Sequence, residues 1–295
     1  MKPRLLLALF LVMGTASAQA FDFGGLIKEV TKQPESASAD SQQQSKQPSL
    51  MGLLGGTPVE EEIAIGREIA GRLLGASPLV KDKKLQQYIN NVGTWVAGQS
   101  GRNDLKWHFG VIESDDINAF AAPGGYILVT KGLYKRLRNE AELAGVLAHE
   151  IGHVIKQHHL KILKQGQLID IGGSLLKQKV GGGGKGQAIG KMIGSGAEIL
   201  ARGLDKNAEY EADRIGVVLA ARAGYDAYAL PSVLQEIGHL SADDNSVSLL
   251  FKTHPHPEKR LLELGDAMDA HADRFEEGKI VAERFYRLQK DKKAQ

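Results

Sequence analysis

Nine histidines occur in 295 residues, and two of them stand four apart in the apolar segment "VLAHEIGHVIKQHH", Val146 to His159. Positions i and i+4 of an α-helix face the same way. His149 and His153 can therefore turn two imidazoles toward one ion, at zinc–nitrogen distances of about 2.0–2.1 Å, without distorting the helix. Glu150 lies beside that ion rather than aimed at it, where it can hold a water and take its proton. Two solvated helix histidines are the other reading. The apolar neighbours weigh against it, because a buried histidine pair without partners is hard to satisfy.

A catalytic zinc needs a third protein ligand and an open position. Downstream, "NAEYEAD" puts Glu209 and Asp213 on one helix face, again four apart, with Glu211 pointing elsewhere into solvent. Glu209 as ligand, with Asp213 accepting from a ligand histidine's second N–H, makes a coherent pair. An acidic helix surface pairing with Lys206 or Arg214 is the alternative.

Three segments together carry a resemblance: "VLAHEIGHVIKQHH", then "NAEYEADRIGVVLAARAGYD" about fifty residues on, then "THPHPEKRL". They resemble the zinc metallopeptidases of the HtpX and CAAX-prenyl-protease type, and most of all its soluble, exported bacterial branch. "INAFAAPGGYILVTKGL" matches the segment that family carries before its zinc helix. The resemblance spans roughly Pro58 to Leu264. It implies an α+β, zincin-like fold, mostly helical with a small mixed sheet. It implies Zn2+ held by His149, His153 and Glu209, with Glu150 as catalytic base and Asp213 supporting His149. His254 falls on a histidine that approaches the metal in exported members. It is expected either to ligate zinc and silence the enzyme or to donate to the oxyanion; a surface histidine is the plain alternative. The long helical-repeat extension of some exported relatives is not expected after Leu264. His158 falls at the wrong helical angle to join the site, and it, His159, His239 and His271 are expected on the solvated surface. His256 is left open between site and surface.

The elements that must position these residues are legible in outline. "PVEEEIAIGREIAGRLLG" is an amphipathic helix with acids at its start, and "KKLQQYINNVGTWVAGQS" is a second helix. "LKWHFGVIES" alternates as a strand, and "INAFAAPGGYILVTKGL" reads as strand, turn, strand. From Asn139, apolar residues recur at three and four positions, which makes the histidine-bearing segment a helix. The stretch from Gly172 to Gly196 is glycine-dense, fit for a mobile linker or for a lid over the site.

Residues 1–20 have the basic start, apolar run and A-x-A ending of a secretory signal. Residues 21–57 read as a flexible N-terminal linker, 58–275 as the metallopeptidase domain and 276–295 as a C-terminal helical tail. The formal charge of +2 falls to zero without Lys2 and Arg4, so no pull toward nucleic acid is expected. The chain has no cysteine, which excludes disulfides and a lipid-modified cysteine. An exported periplasmic protein with no membrane span after signal removal is expected. Its function reads as zinc-dependent endopeptidase acting on protein or peptide substrates, in unfolded or damaged exported proteins. A zinc amidase of cell-wall peptides and a chaperone-like binding protein are the rivals.

Overall fold

The computed structural model describes residues 57–165, 203–241, 244–269 and 278–288. The expected signal segment, residues 21–56 of the expected linker, the stretch Gly172 to Gly196 and His271 lie outside the described residues. Helix α1, Val59–Ala76, opens with Glu60, Glu61 and Glu62 in its first turn, where acids complement the helix dipole. Helix α2, Lys83–Ala97, is capped by Asp82, whose carboxylate accepts from the amides of Lys84 and Leu85. Three strands follow: β1, His108–Ile112; β2, Ala119–Ala122; and β3, Tyr126–Thr130, the last two joined by a 3-10 turn over Pro123–Gly125.

The sheet order is β1–β3–β2. β1 and β3 run parallel with His108 opposite Tyr126, and β2 runs antiparallel to β3 with Ala122 opposite Tyr126. This is the small mixed sheet the sequence class implies. Every strand residue is buried, so the sheet is covered on both faces rather than half-solvated. Among the described residues, β2 has a neighbour on one side only and forms an edge.

Helix α3, Lys131–Arg136, leads into α4, Glu140–Ile155, whose Asn139 cap accepts from the Glu142 amide. All residues of α4 from Glu140 to Val154 are buried. A helix so apolar around its circumference is stable only inside a core. Leu143, Leu147 and Ile151 of α4 pack with Leu85, Ile89 and Phe109. Helices α5, Lys206–Arg222, α6, Ala229–Gly238, α7, Asn245–Thr253, and α8, Pro257–Asp269, surround it. Two glycines let α5 lie close along α4. A Cβ on Gly216 would sit 3.0 Å from the His149 amide nitrogen, and one on Gly152 would sit 3.1 Å from the Ala212 carbonyl.

The expected helical tail is corrected where it is described: residues 278–288 form no helix, and residues 276–277 and 289–295 lie outside the described residues. Lys279 makes a parallel bridge to Tyr225, and Phe285 is buried, stacked on Tyr134 at 5.2 Å. Tyr286 donates to the second oxygen of Asp82. Arg284 pairs with Glu140, which also accepts from Tyr88 and Tyr225 at 2.8 Å each. Tertiary partners decide this segment, tying it to the start of α4. Among the described residues, no helix is long and apolar enough to cross a membrane.

Candidate metal centre

The last two turns of α4 turn His149 and His153 toward α5, and their Nε2 atoms face each other at 2.9 Å. The carboxylate of Glu209, in the first turn of α5, stands opposite: Oε2 is 3.7 Å from His149 Nε2 and Oε1 is 3.6 Å from His153 Nε2. His254, immediately after α7, brings Nδ1 to 3.1 Å from Glu209 Oε2 and Nε2 to 3.7 Å from Glu150 Oε1. One ligand atom from each of His149, His153, Glu209 and His254 lies within 4.8 Å of all the others, and all four residues are buried. Of the two open histidines near α8, His254 turns inward and His256 turns outward, exposed at φ 60°.

These residues fit a zinc ion. Zinc takes imidazole nitrogens and carboxylate oxygens at about 2.0–2.2 Å, so four tetrahedral donors stand about 3.3 Å apart. The distances among the His149, His153 and Glu209 atoms bracket that value. Glu209 Oε1 is buried without a hydrogen-bond partner, as is Glu150 Oε2. Such orphaned oxygens call for a cation or a water-borne proton.

The charges around the cluster are strongly shaped. Burial would raise the Glu209 carboxyl, but His254 and Arg260 more than offset this and bring it down to about 2. Asp213 is likewise held well below the usual carboxylate range, burial being outweighed by Arg260 and His149. Burial pushes Glu150 up despite His254 and His149. Burial, then repulsion from His149, keeps His153 neutral, which is the form that ligates metals. His254 moves upward, because Glu209 and Glu150 overcome its burial.

Asp213 sits where the α5 spacing sends it, Oδ1 2.8 Å from His149 Nδ1. Neither Lys206 nor Arg214 takes the carboxylates. Arg260 of α8 does, giving Asp213 two hydrogen bonds at 2.8 and 2.6 Å and Glu209 a contact at 3.1 Å. Sequence reasoning passed over this residue. Its signal was its register: Arg260, Leu264 and Met268 recur every four residues and are all buried, so a cation stood on an apolar stripe.

His158 and His159 are a second correction, being buried rather than solvated. A continuous helix would turn His158 about 140° away from His153. Instead α4 ends at Ile155, and Gln157 adopts φ 54°, before residues 158–165 resume a helix. The break brings His158 Nδ1 to 2.9 Å from His153 Nδ1. Burial, then the charge on His254, drives His159 down to about 3. Glu211 is not simply solvated: it bonds His158 Nε2 at 3.1 Å and Lys156 Nζ at 2.7 Å. His239 is exposed as expected.

Beside His149, Glu150 and His254 lies a small cavity walled by Leu133, Val146, Leu230, Val233, Leu234 and Leu250.

Residues 83–267 match the model of Peptidase family M48. The chain belongs to that family. It is 31% identical over 210 residues to the beta-barrel assembly-enhancing protease of Yersinia pestis, covering 69% of this chain and 43% of that one. The protein of the same name from Escherichia coli (strain K12) is 30% identical over the same shares. The mitochondrial metalloendopeptidase OMA1 of Arabidopsis thaliana is 30% identical over 165 residues, 56% of this chain and 32% of that one. The chain spans less than half the length of these curated relatives. Membership in Peptidase family M48 accounts for the helical, mixed-sheet fold, and the names protease and metalloendopeptidase are those of the relatives.

Proposed function

We propose that the chain is a zinc endopeptidase in which His149, His153 and Glu209 hold the metal and Glu150 is the catalytic base. The observation that carries this reading is the convergence of buried ligand atoms beside a buried Glu150 oxygen that has no partner. Zinc, when bound, supplies a Lewis acid that polarises the scissile carbonyl and makes water acidic enough to attack at neutral pH.

The chain's residues do the rest. Glu150 takes the proton from the attacking water through its free Oε2 and hands it to the departing amine. Its raised pKa suits both halves of that transfer. Asp213, itself gripped by Arg260, accepts from His149 Nδ1 and fixes that ring with its Nε2 toward the metal. His254 lies close enough to Glu150 to donate to the oxygen of the tetrahedral intermediate.

The edge strand β2 offers its open side to an extended peptide, a mode that reads shape more than sequence. The apolar cavity beside Glu150 suits an apolar side chain next to the scissile bond. Unfolded exported proteins present both features. Relatives named for enhancing β-barrel assembly point the same way, and the signal-like residues 1–20 support a periplasmic setting. Chelation tests this function. Casein cleavage should stop when the metal is removed and return with zinc; undiminished cleavage by metal-free protein refutes it.

A further inference from the structure

We propose that His158 and Glu211 form a positioning relay that holds the His153 imidazole in the one tautomer able to ligate a metal. The proposal rests on the metal-centre reading above. His153 turns Nε2 to the ligand cluster, so its Nδ1 points away, to within 2.9 Å of His158 Nδ1. A neutral imidazole carries a single N–H. If His153 Nε2 is to offer a lone pair, its hydrogen must sit on Nδ1. His158 Nδ1 then accepts that hydrogen bond, which leaves the His158 hydrogen on Nε2. That atom faces Glu211 Oε2 at 3.1 Å, and a carboxylate can only accept.

The opposite assignment fails at both ends. With the hydrogen on His158 Nδ1, the His158 Nε2 lone pair would point at the carboxylate of Glu211. The His153 hydrogen would be driven onto Nε2, into the ligand cluster. Glu211 thus selects the tautomer of His158, and His158 selects that of His153. Lys156 Nζ, 2.7 Å from Glu211 Oε1, holds the far end. Asp213 does for His149 directly what Glu211 does for His153 through a second ring. The break at Gln157 is what makes this possible, since it returns His158 to the His153 side.

Asparagine and leucine have nearly the same shape, and an asparagine carbonyl can occupy the place of His158 Nδ1. His158→Asn keeps the acceptor and His158→Leu removes it. Zinc affinity, measured by competition with a chromophoric chelator, should fall about 10–100-fold in His158→Leu and stay within a few-fold of the parent in His158→Asn. Glu211→Ala, at a half-exposed site, should lie between them. Imidazole nitrogen NMR of the zinc-loaded parent should find His153 protonated at Nδ1 and His158 at Nε2. Parent-like zinc affinity in both His158→Leu and Glu211→Ala, or a His158 hydrogen on Nδ1, overturns the relay alone. A parent protein that binds no zinc overturns the metal centre and the relay with it.

Discussion

Replacing Arg260 by alanine should destabilise the metal-free protein far more than the zinc-loaded one. The guanidinium is buried and makes three short contacts, at 2.8 and 2.6 Å to Asp213 and 3.1 Å to Glu209. Both carboxylates are buried and ionised. Deleting their cation leaves Asp213 as a buried charge without its cation and Glu209 with His254 alone, a change that costs about 3–5 kcal/mol. For a protein of this size the melting temperature should fall by roughly 6–20 °C. A zinc ion beside Glu209 restores positive charge, so the loss in zinc should be clearly smaller. Arg260→Lys keeps the charge but loses the two-pronged geometry, and should fall between parent and Arg260→Ala. Urea unfolding of all three, in chelator and in zinc, measures the differences. A loss below about 1 kcal/mol in chelator, the scale of a surface pair, would refute this account of Arg260. So would equal losses in chelator and in zinc.

Glu209→Ala should lower zinc affinity, because it removes a ligand and its charge; unchanged affinity in a competition titration would pass that ligand role elsewhere. His254→Ala separates two roles by sign. Proteolysis should rise if His254 ligates the metal and holds the enzyme silent, and should fall about 10²–10³-fold with zinc retained if it donates to the oxyanion; parent-like activity would discard both. The metal-free protein should also lose stability in acid. Asp213 and Glu209 have folded pKa values depressed below their unfolded ones, so their contribution is complete above the ordinary carboxylate range and is lost as pH falls toward about 2. Urea midpoints that stay level from pH 5 to pH 2.5 would contradict this.

Much of the centre is legible in the sequence because helical spacing alone specifies it. Four-residue intervals in α4 and α5 put His149 with His153 and Glu209 with Asp213, whatever else the chain does. The features that escape are set by tertiary structure. His158 follows a left-handed residue, Gln157, and extrapolating α4 as a straight helix sends it to the wrong face. Arg260 reads as surface by residue type, and only its line with Leu264 and Met268 betrays its burial. The tail has helix-compatible residues, yet Phe285 against Tyr134, and Lys279 against Tyr225, hold residues 278–288 out of a helix.

The most direct test of the central claim is a paired measurement of bound zinc and proteolysis in the parent and in Glu150→Gln. The amide keeps the side chain's shape and cannot take a proton. Both proteins should carry one zinc per chain, and Glu150→Gln should cleave casein about 10²–10⁴-fold more slowly. Parent-like cleavage by Glu150→Gln with its zinc intact would contradict the account.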